Sequence, residues 1–427
     1  MRLLTKWVLV CILLVGPLNA DQRFIVRVLG GVLPLDGACL LLGCNVVRNL
    51  DDPAGELFLL TTSNGVIPSL FEPLLSALVS IVDIEPDLLV TVVQNDPPIP
   101  AALYDSQLVP YFGAYVRDGY ISQPAAQIVR IQQAQTTFGV TGTGIVAVID
   151  TGVDPNHPVL NSVLVEGYDF TRNQDGGSEM ADVSQSTVAV VDNESPAYVN
   201  GYAAAILDQS TVAVVDNDKY SAFGHGTMVA GIVHLVAPQA MIMPLKAFGA
   251  NGSGYTSDIL RAIYKASQAG ARVINMSFSM SNSSKELQKA VDNATNDGVI
   301  CVASVGNQGQ PVLVYPAAFS NVVGVASTTN DDTRSTFSNY GQPLVWVAAP
   351  GEGIVTTYPW STYAAAWGTS FSAPFVSGTA ALLLQVQWNM RFSNAAAAIA
   401  NAKPIDSDLG HGRLDIFLAV QAARAMQ

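Results

Sequence analysis

The sequence predicts a three-layer α/β protein, in which a mostly parallel sheet lies between helices, with a small α+β domain in front of it. The main observation is a series of continuous apolar, β-branched runs, of the kind that parallel sheets bury on both faces. The runs are GIVAVID, AMIMPLKAF, ARVINMSF, GVICVASVGN and VVGVAS. Stretches with helical periodicity, such as TSDILRAIYKASQAG and SKELQKAVDNAT, separate them. This alternation is typical of an α/β domain, which we place at residues 125–427.

A different order of elements precedes this domain. Within residues 21–95, the runs RFIVRV, ACLLLGCNVV and LFLLTT are strand-like, IPSLFEPLLSALV has a helical pattern, and SIVDIEPDLLVTVV is extended again. A helical layer over an antiparallel sheet would bury these elements, which predicts a small α+β domain. Residues 96–124 are rich in proline, tyrosine and polar residues without a sustained period, and we predict that they form a linker.

Composition and charge limit the classes of partner. The chain has 427 residues, of which 49% are hydrophobic and 13% are charged, so it is too apolar to be disordered and long enough for more than one folding unit. Acidic residues outnumber basic ones, and the formal net charge is −14. Because such a chain repels a phosphate backbone, nucleic acid is excluded as the expected partner.

The first 20 residues, MRLLTKWVLVCILLVGPLNA, have two basic residues, then an apolar run, then a small residue where cleavage would fall. This pattern predicts a secretory signal peptide over residues 1–20 and a secreted protein, with an uncleaved anchor as the alternative. No later segment reaches the roughly 18 uninterrupted apolar residues of a transmembrane helix. We therefore expect no membrane span in the mature chain.

Two further features concern the cysteines and an internal repeat. Cys39 and Cys44 lie close enough in sequence for a disulfide in an oxidising compartment, whereas Cys301 lies in an apolar run and is expected to be a small core residue. The nonapeptide QSTVAVVDN occurs at 185–193 and again at 209–217. Two copies are too few for a solenoid, and we interpret them as a duplicated hairpin element in an insert at about 165–220.

His225 is the strongest candidate for a catalytic base among four histidines. It lies between Gly224 and Gly226, just before a predicted helix, and glycine neighbours allow a backbone or a substrate to approach the ring closely. For the other three a local structural role is the simpler interpretation; these are His157, His234 and His411.

Asp150 and Ser370 are candidates that are ambiguous when taken alone. Asp150 ends the strand IVAVID, and the carboxyl ends of parallel strands line the functional crevice of such sheets, although an aspartate there also suits a simple turn. Ser370 lies at the start of a small-residue helix, SAPFVSGTAALLLQV, where backbone donors and the helix dipole favour a developing oxyanion. An ordinary N-cap serine would suit the same position. Pro374 is expected in the first turn of this helix, where a missing N–H is tolerated.

Taken together, these residues resemble the subtilisin family of serine proteases. The motifs are VIDTGVD around Asp150, GHGTMVAG around His225 and GTSFSAPFVSG around Ser370, in the order Asp, His, Ser. Weaker agreement runs through VINMSFS, SVGNQG and GRLDIFLAV, so that the resemblance covers about residues 125–427. It implies the three-layer subtilisin-like fold and a secreted serine endopeptidase acting on polypeptides.

The resemblance also implies roles for single residues. Ser370 would be the nucleophile, His225 the general base and Asp150 the residue that orients the imidazole. Asn307, in SVGNQG, would donate to the oxyanion together with the Ser370 backbone N–H, although a turn before Gly309 is the simpler interpretation of Asn307 on its own.

Further implications concern the substrate and the N-terminal domain. An extended peptide would bind as an extra strand beside NGSGY and MSFS, which predicts substrate contacts for Gly252, Gly254, Ser277 and Ser279. Ser279 stands where a glycine is expected beside the specificity pocket. The α+β domain would act as a propeptide that assists folding and inhibits its own catalytic domain. The resemblance implies that the reaction requires no cofactor and no metal; a structural calcium ion is possible but not indicated.

Other functions fit the sequence less well. Gly142, Gly144 and Ala147 form a G-x-G-x-x-A pattern, but these residues precede a strand instead of following it, so a dinucleotide site is disfavoured. No G-x-S-x-G surrounds Ser370, which disfavours an α/β-hydrolase. The alternative that stays open is a non-catalytic secreted binding module that has kept the fold.

Overall fold

The computed structural model describes residues 22–62, 68–90, 100–183, 188–191, 197–198, 205–206, 211–214, 220 and 222–427. The predicted signal peptide lies outside these residues. The described residues form two compact units. The first comprises residues 22–50 and 54–87, and the second comprises residues 51–53 and those from 88 onwards. Among the described helices, none combines the length and the apolar character needed to cross a bilayer.

The first unit is a βαββαβ arrangement. Its elements are β1 (Gln22–Val28), α1 (Val32–Leu42), β2 (Cys44–Asn49), β3 (Leu57–Thr62), α2 (Pro68–Leu78) and β4 (Ile81–Pro86). The sheet has the order β2-β3-β1-β4, and all its described pairs are antiparallel. Phe24 on β1 stacks on Phe71 of α2 with ring centroids 5.1 Å apart, within the buried core of this unit.

One run of this unit differs from its prediction. The run ACLLLGCNVV is strand-like by composition, but its first half lies in α1 and only the second half forms β2. A short apolar run fits either element by periodicity, and unbranched leucines are good helix formers. The disulfide between Cys39 and Cys44, which the sequence allows, joins the two elements. Cys301 is a fully buried free cysteine, as expected, and burial raises the pKa of its thiol to about 12.

The second unit contains the remaining elements. They are β5 (Leu89–Val90), β6 (Leu108–Tyr111), β7 (Ala114–Arg117), α3 (Asp118–Ser122), α4 (Pro124–Ile128), α5 (Ile131–Phe138), β8 (Ile145–Asp150), β9 (Gly167–Asp169), β10 (Gln174–Gly176), β11 (Val188–Val191), β12 (Ala197–Tyr198), β13 (Ala205–Ile206), β14 (Thr211–Val214), α6 (His225–Val236), β15 (Met241–Lys246), β16 (Gly254–Tyr255), α7 (Thr256–Gln268), β17 (Val273–Met276), α8 (Lys285–Asn296), β18 (Ile300–Ser304), β19 (Val322–Thr328), β20 (Val347–Pro350), β21 (Ile354–Tyr358), β22 (Thr362–Ala366), α9 (Thr369–Val386), α10 (Phe392–Ile399) and α11 (Ile416–Ala425).

A large sheet with the order β10-β9-β15-β8-β17-β18-β19-β20 forms the centre of this unit. Its neighbours pair in parallel, except for β10 and β9 at one edge. The five apolar runs of the sequence supply five adjacent strands, β15-β8-β17-β18-β19, which confirms the predicted parallel sheet. Because parallel strands end on the same edge, the residues that follow β8, β17 and β18 converge there.

Helices cover the sheet in two groups. The buried helix α9 contacts α6, α11 and the strands β17, β18 and β19. The helices α7 and α8 contact each other, and they pack on β15 and β18 respectively. Ser284 caps α8 by accepting a hydrogen bond from Leu287 N, as expected for a serine just before a helix. Helices, sheet and helices form the three layers that the sequence predicts.

The predicted linker differs from an unstructured connection over its described part. Residues 100–124 contain a 3-10 turn at Ala101–Tyr104, the β6–β7 hairpin and α3. Tyr120 is fully buried, and its hydroxyl donates to Gly231 O at 2.6 Å. The apolar residues of this stretch are irregularly spaced, so no periodic signal marks them, yet several of them join the core of the second unit.

The two copies of the repeated nonapeptide supply strands that pair with each other. In the antiparallel pair β11–β14, Val188 lies opposite Val214, and Val191 lies opposite Thr211. The described parts of the insert therefore contain one ribbon made from both copies, and not one hairpin in each.

We expect the substitution Tyr120→Phe to lower the free energy of unfolding by about 0.5–1.5 kcal/mol, because it removes the buried hydrogen bond from the tyrosine hydroxyl to the Gly231 carbonyl. The matched control is Tyr115→Phe in the neighbouring strand β7, where the side chain is 71% exposed and the change should be within about 0.5 kcal/mol. Urea unfolding of both variants measures the difference. Equal stabilities would contradict the assignment of this segment to the core.

Candidate active site

Asp150 and His225 meet where β8 ends and α6 begins. His225 Nδ1 lies 2.6 Å from Asp150 Oδ1, and both residues are buried. Thr151 N also donates to Asp150 Oδ1 at 2.7 Å, which holds the carboxylate in place. An ionised carboxylate only accepts hydrogen bonds, so Nδ1 carries the proton and a neutral ring keeps its lone pair on Nε2.

The two glycines beside His225 allow this approach. A Cβ added to Gly226 would lie 2.0 Å from Gly152 O, in the loop that follows Asp150. A Cβ on Gly224, whose φ is 89°, would lie 2.3 Å from a ring carbon of Tyr358. A side chain at either position would therefore force the His225 helix away from its neighbours.

Ser370 lies in the first turn of α9, and the residue that follows it packs against the imidazole. The ring of the next residue, Phe371, lies 5.2 Å from the His225 ring between centroids. Ser370 is 4% exposed, and its hydroxyl donates to Ser277 O at 3.0 Å. The structure thus brings the loop after β17, the start of α6 and the start of α9 to one place.

The expectation that Pro374 lies in the first turn of its helix is wrong. Pro374 lies inside α9, one turn beyond Ser370. A proline here removes the N–H that would bond to the carbonyl four residues earlier, which is that of Ser370. Ser277 Oγ donates to this carbonyl at 2.7 Å instead. The missing backbone bond is thus replaced by a side chain from the loop after β17.

A buried chain of hydrogen bonds supports Ser277. Ser377 Oγ donates to Asn275 Oδ1 at 2.8 Å, and Asn275 Nδ2 donates to Ser277 Oγ at 2.9 Å. All three residues are at most 1% exposed. The chain connects α9 to β17 and returns to the backbone of Ser370.

Asn307 lies in the loop after β18, close to the start of α9. Its Oδ1 accepts from Thr369 N at 2.9 Å and from Thr369 Oγ1 at 2.8 Å. A backbone N–H can only donate, so this atom is the amide oxygen, and Nδ2 is left as the donor of the side chain. Its partner in the prediction, the Ser370 N–H, lies in the first turn of α9, where backbone donors have no intrahelical acceptor.

The four residues expected to contact substrate lie in two loops. Gly252 belongs to the turn after β15, and Gly254 opens β16. Ser277 follows β17, and both its hydroxyl and its carbonyl bond to Ser370. Ser279 lies beside the Asn307 loop, because a Cβ on Gly306 would lie 3.2 Å from Ser279 Oγ.

The other three histidines make local structural contacts. His157 Nε2 lies 3.1 Å from Thr362 O, and His234 Nδ1 lies 3.3 Å from Tyr120 Oη. Burial lowers the pKa of both rings, to about 4 for His234, so both favour the neutral form. The ring of His411 packs on Trp346, with centroids 4.7 Å apart.

Glu179 is a buried carboxyl that the sequence analysis missed. Its Oε2 accepts from Thr151 Oγ1 at 2.9 Å and from Gly224 N at 2.8 Å, and its Oε1 forms a short hydrogen bond with Thr227 Oγ1. Burial raises its pKa to about 8, although these three hydrogen bonds and the nearby charge of Lys246 favour the ionised form. A single glutamate in a polar insert carries no periodic signal that could have revealed it.

Lys246, at the end of β15, is the second charge that the sequence analysis missed. It is fully buried, and its ammonium donates to Thr151 O at 2.7 Å, Phe248 O at 2.6 Å and Asp182 Oδ2 at 2.7 Å. One carboxylate and two carbonyls thus match its three N–H groups. The sequence feature that could have indicated this buried charge is the presence of a lysine inside the apolar run AMIMPLKAF.

Metal ligands do not cluster in the described part of the chain. No group of three or more His, Cys, Asp or Glu side chains there could hold an ion.

The raised pKa of Glu179 predicts a pH dependence of stability. Between about pH 4.5 and pH 8 the folded protein retains a proton that the unfolded chain has lost, so the free energy of unfolding falls as the pH rises through this window. The slope from this group is at most about 1.4 kcal/mol per pH unit. The substitution Glu179→Gln should remove it, which urea unfolding of both proteins at pH 5 and pH 8 measures. Equal slopes would contradict the prediction.

Sequence comparison relates this chain to known proteases. Residues 142–415 match the Subtilase family. The chain is 35% identical over 319 residues to thermitase of Thermoactinomyces vulgaris, and the alignment covers 71% of this chain and 98% of thermitase. It is 37% identical over 202 residues to subtilisin Savinase of Lederbergia lenta, covering 44% and 75% of the two chains. It is 37% identical over 247 residues to the thermophilic serine proteinase of Bacillus sp. (strain AK1), covering 58% of this chain and 53% of that protein. The chain therefore belongs to the subtilase family and is a serine-type endopeptidase with the subtilisin-like fold.

Proposed function

We propose that this chain is a secreted endopeptidase that hydrolyses peptide bonds through Asp150, His225 and Ser370. The observation that carries the proposal is the 2.6 Å hydrogen bond between Asp150 and His225, with the imidazole packed beside the residue that follows Ser370. A buried carboxylate, an oriented imidazole and a hydroxyl at a helix N-terminus are the parts that acyl transfer needs.

In this mechanism, Ser370 Oγ attacks the scissile carbonyl carbon. Its proton passes to His225 Nε2, whose lone pair can accept it because Nδ1–H is directed to Asp150. The hydroxyl must first turn from Ser277 O to the imidazole. The imidazolium then donates the proton to the leaving amine, which leaves an acyl-enzyme. Water, deprotonated by the same imidazole, hydrolyses the ester and restores Ser370.

The tetrahedral intermediates carry a negative oxygen that needs fixed donors. Asn307 Nδ2 and the Ser370 N–H are the donors in this proposal. The two hydrogen bonds from Thr369 to Asn307 Oδ1 support it, because they fix the amide plane and prevent the side chain from turning its oxygen towards the oxyanion.

The substrate would bind as an extended strand. We propose that its backbone pairs beside Gly252 and Gly254, and that Ser277 and Ser279 border the site. The support is an antiparallel pair already present in the second unit, in which Val90 of β5 lies opposite Gly254 and Leu89 lies opposite Tyr255. Backbone pairing of this kind tolerates many side chains and suits polypeptide substrates.

We further propose that residues 21–95 act as a propeptide and inhibit their own catalytic domain until cleavage in residues 95–125. Two observations support this. The βαββαβ unit has a core of its own. The strand that follows it, β5, pairs with β16, which contains Gly254 and is where we propose that substrate pairs. The Cys39–Cys44 disulfide favours folding in an oxidising compartment, which together with the N-terminal sequence supports secretion.

The nucleophile is tested with a fluorophosphonate probe on the full chain and on its Ser370→Ala variant. We expect labelling of the wild-type serine, no labelling of the variant, and a kcat lower by about 10⁶-fold, the scale found when the nucleophile of subtilisin is removed. Intact-mass measurement should show cleavage in residues 95–125 of the wild-type chain and a variant that stays uncut. Labelling of neither protein would favour a non-catalytic binding module.

The oxyanion donor is tested with Asn307→Asp. The carboxylate keeps both acceptor contacts with Thr369 but has no N–H for the oxyanion, so kcat should fall by about 10²–10³-fold with little change in KM, a magnitude known from subtilisin itself. Steady-state kinetics on a peptide amide measure both constants. A variant that mainly raises KM would contradict this role.

A further inference from the structure

Glu179 joins two segments beside the proposed catalytic pair. One is the loop that follows Asp150 and contains Thr151; the other is the start of α6, with Gly224 just before His225 and Thr227 just after it. The glutamate is 0% exposed. The described hydrogen bonds of its carboxyl group all go to residues within two positions of the catalytic pair.

Each of the two threonines also accepts a hydrogen bond from a backbone N–H of the opposite segment. Gly226 N donates to Thr151 Oγ1 at 3.0 Å, and Asp154 N donates to Thr227 Oγ1 at 2.8 Å. These bonds occupy acceptor positions of the hydroxyls and leave their single protons for another partner. The carboxyl of Glu179 lies where both hydroxyls can reach it.

The result is a closed hydrogen-bond network between the loop after Asp150 and the start of α6. Removing the Glu179 carboxyl would leave the Thr151 hydroxyl and the Gly224 N–H buried without their acceptor. At this site the two segments already approach each other closely at Gly152 and Gly226. Because Thr151 adjoins Asp150 and Gly224 adjoins His225, any shift of these two segments changes the distance between the catalytic side chains.

We propose that Glu179 is a positioning residue, which locks the loop after Asp150 to the start of the His225 helix and thereby holds the imidazole against its carboxylate. This inference rests on the proposed catalytic roles of Asp150, His225 and Ser370. Glu179 acts through the backbone and hydroxyl groups of neighbouring residues and takes no part in proton transfer.

The hydrogen-bond donors around the Glu179 carboxyl predict which substitutions at this position are tolerated. Oε2 receives two donors, Thr151 Oγ1 and Gly224 N, whereas the partner of Oε1 is a hydroxyl that can donate or accept. A glutamine can place its oxygen at the first position and its amide N–H at Thr227. Glu179→Gln should therefore keep the network, whereas Glu179→Ala removes the common acceptor.

The experiment compares these two variants with a matched control in the same unit. Asp415 is a buried carboxyl that accepts from Leu418 N and from Arg130, and it also connects two segments. Asp415→Ala should therefore destabilise the fold without moving the catalytic pair. We expect Glu179→Ala to lower kcat by about 10²-fold with KM changed less than about 3-fold, the scale of a displacement near 1 Å. Glu179→Gln and Asp415→Ala should stay within about 3-fold of wild type.

A second readout does not depend on turnover. The proton between His225 Nδ1 and Asp150 should give a far-downfield NMR resonance, which can be measured in the Ser370→Ala background. We expect it to be retained in Glu179→Gln and Asp415→Ala and to be shifted or lost in Glu179→Ala. If the fluorophosphonate does not label wild-type Ser370, the proposed function is contradicted. The NMR resonance still decides whether Glu179 positions the His225 ring.

Three results would overturn the inference: a Glu179→Ala variant with kcat within about 3-fold of wild type, an unchanged downfield resonance in that variant, or a Glu179→Gln variant as impaired as Glu179→Ala. Should Glu179→Ala not fold, Thr151→Val removes the hydroxyl bond alone, with Thr151→Ser as the conservative control. Loss of kcat in Thr151→Val and its recovery in Thr151→Ser supports the role, and equal kcat in both contradicts it.

Discussion

The proposed active site depends on one hydrogen bond between side chains that are 75 residues apart, that of Asp150 and His225. The bond exists because β8 ends at the edge of the sheet where α6 begins, and because Gly226 lets the two backbones approach closely. Both side chains are buried, so the imidazole has a fixed tautomer and orientation. The rest of the site is arranged around this pair.

Much of the polar chemistry of the site holds other groups in place. Ser277 replaces the helical bond that Pro374 removes, Asn307 is held by Thr369, and Lys246 binds the carbonyl of Thr151. Each of these groups is buried or partly buried and satisfied by partners from a different element. Such networks are stabilising only when complete, which makes the position of Ser370, the proposed nucleophile, depend on the packing of the whole domain.

The same chain carries the proposed enzyme and its proposed inhibitor. The first unit has its own antiparallel sheet and core, and β5 belongs by its contacts to the second unit, where it pairs with β16. A strand that pairs through its backbone can occupy a cleft built for many sequences, because the pairing depends on the peptide group and not on the side chains. This explains how one groove could serve both a propeptide and varied substrates.

The sequence by itself determined the parallel sheet and the candidates Asp150, His225 and Ser370, because buried strands need continuous apolar runs and catalytic motifs combine fixed residue types with glycine spacing. It also indicated a disulfide between Cys39 and Cys44. Only the tertiary structure decided the roles of Glu179, Lys246 and Pro374, the burial of Tyr120, and the pairing of β11 with β14. Their partners lie far away along the chain. A residue that is stabilised by such long-range contacts produces no periodic pattern in the sequence around it.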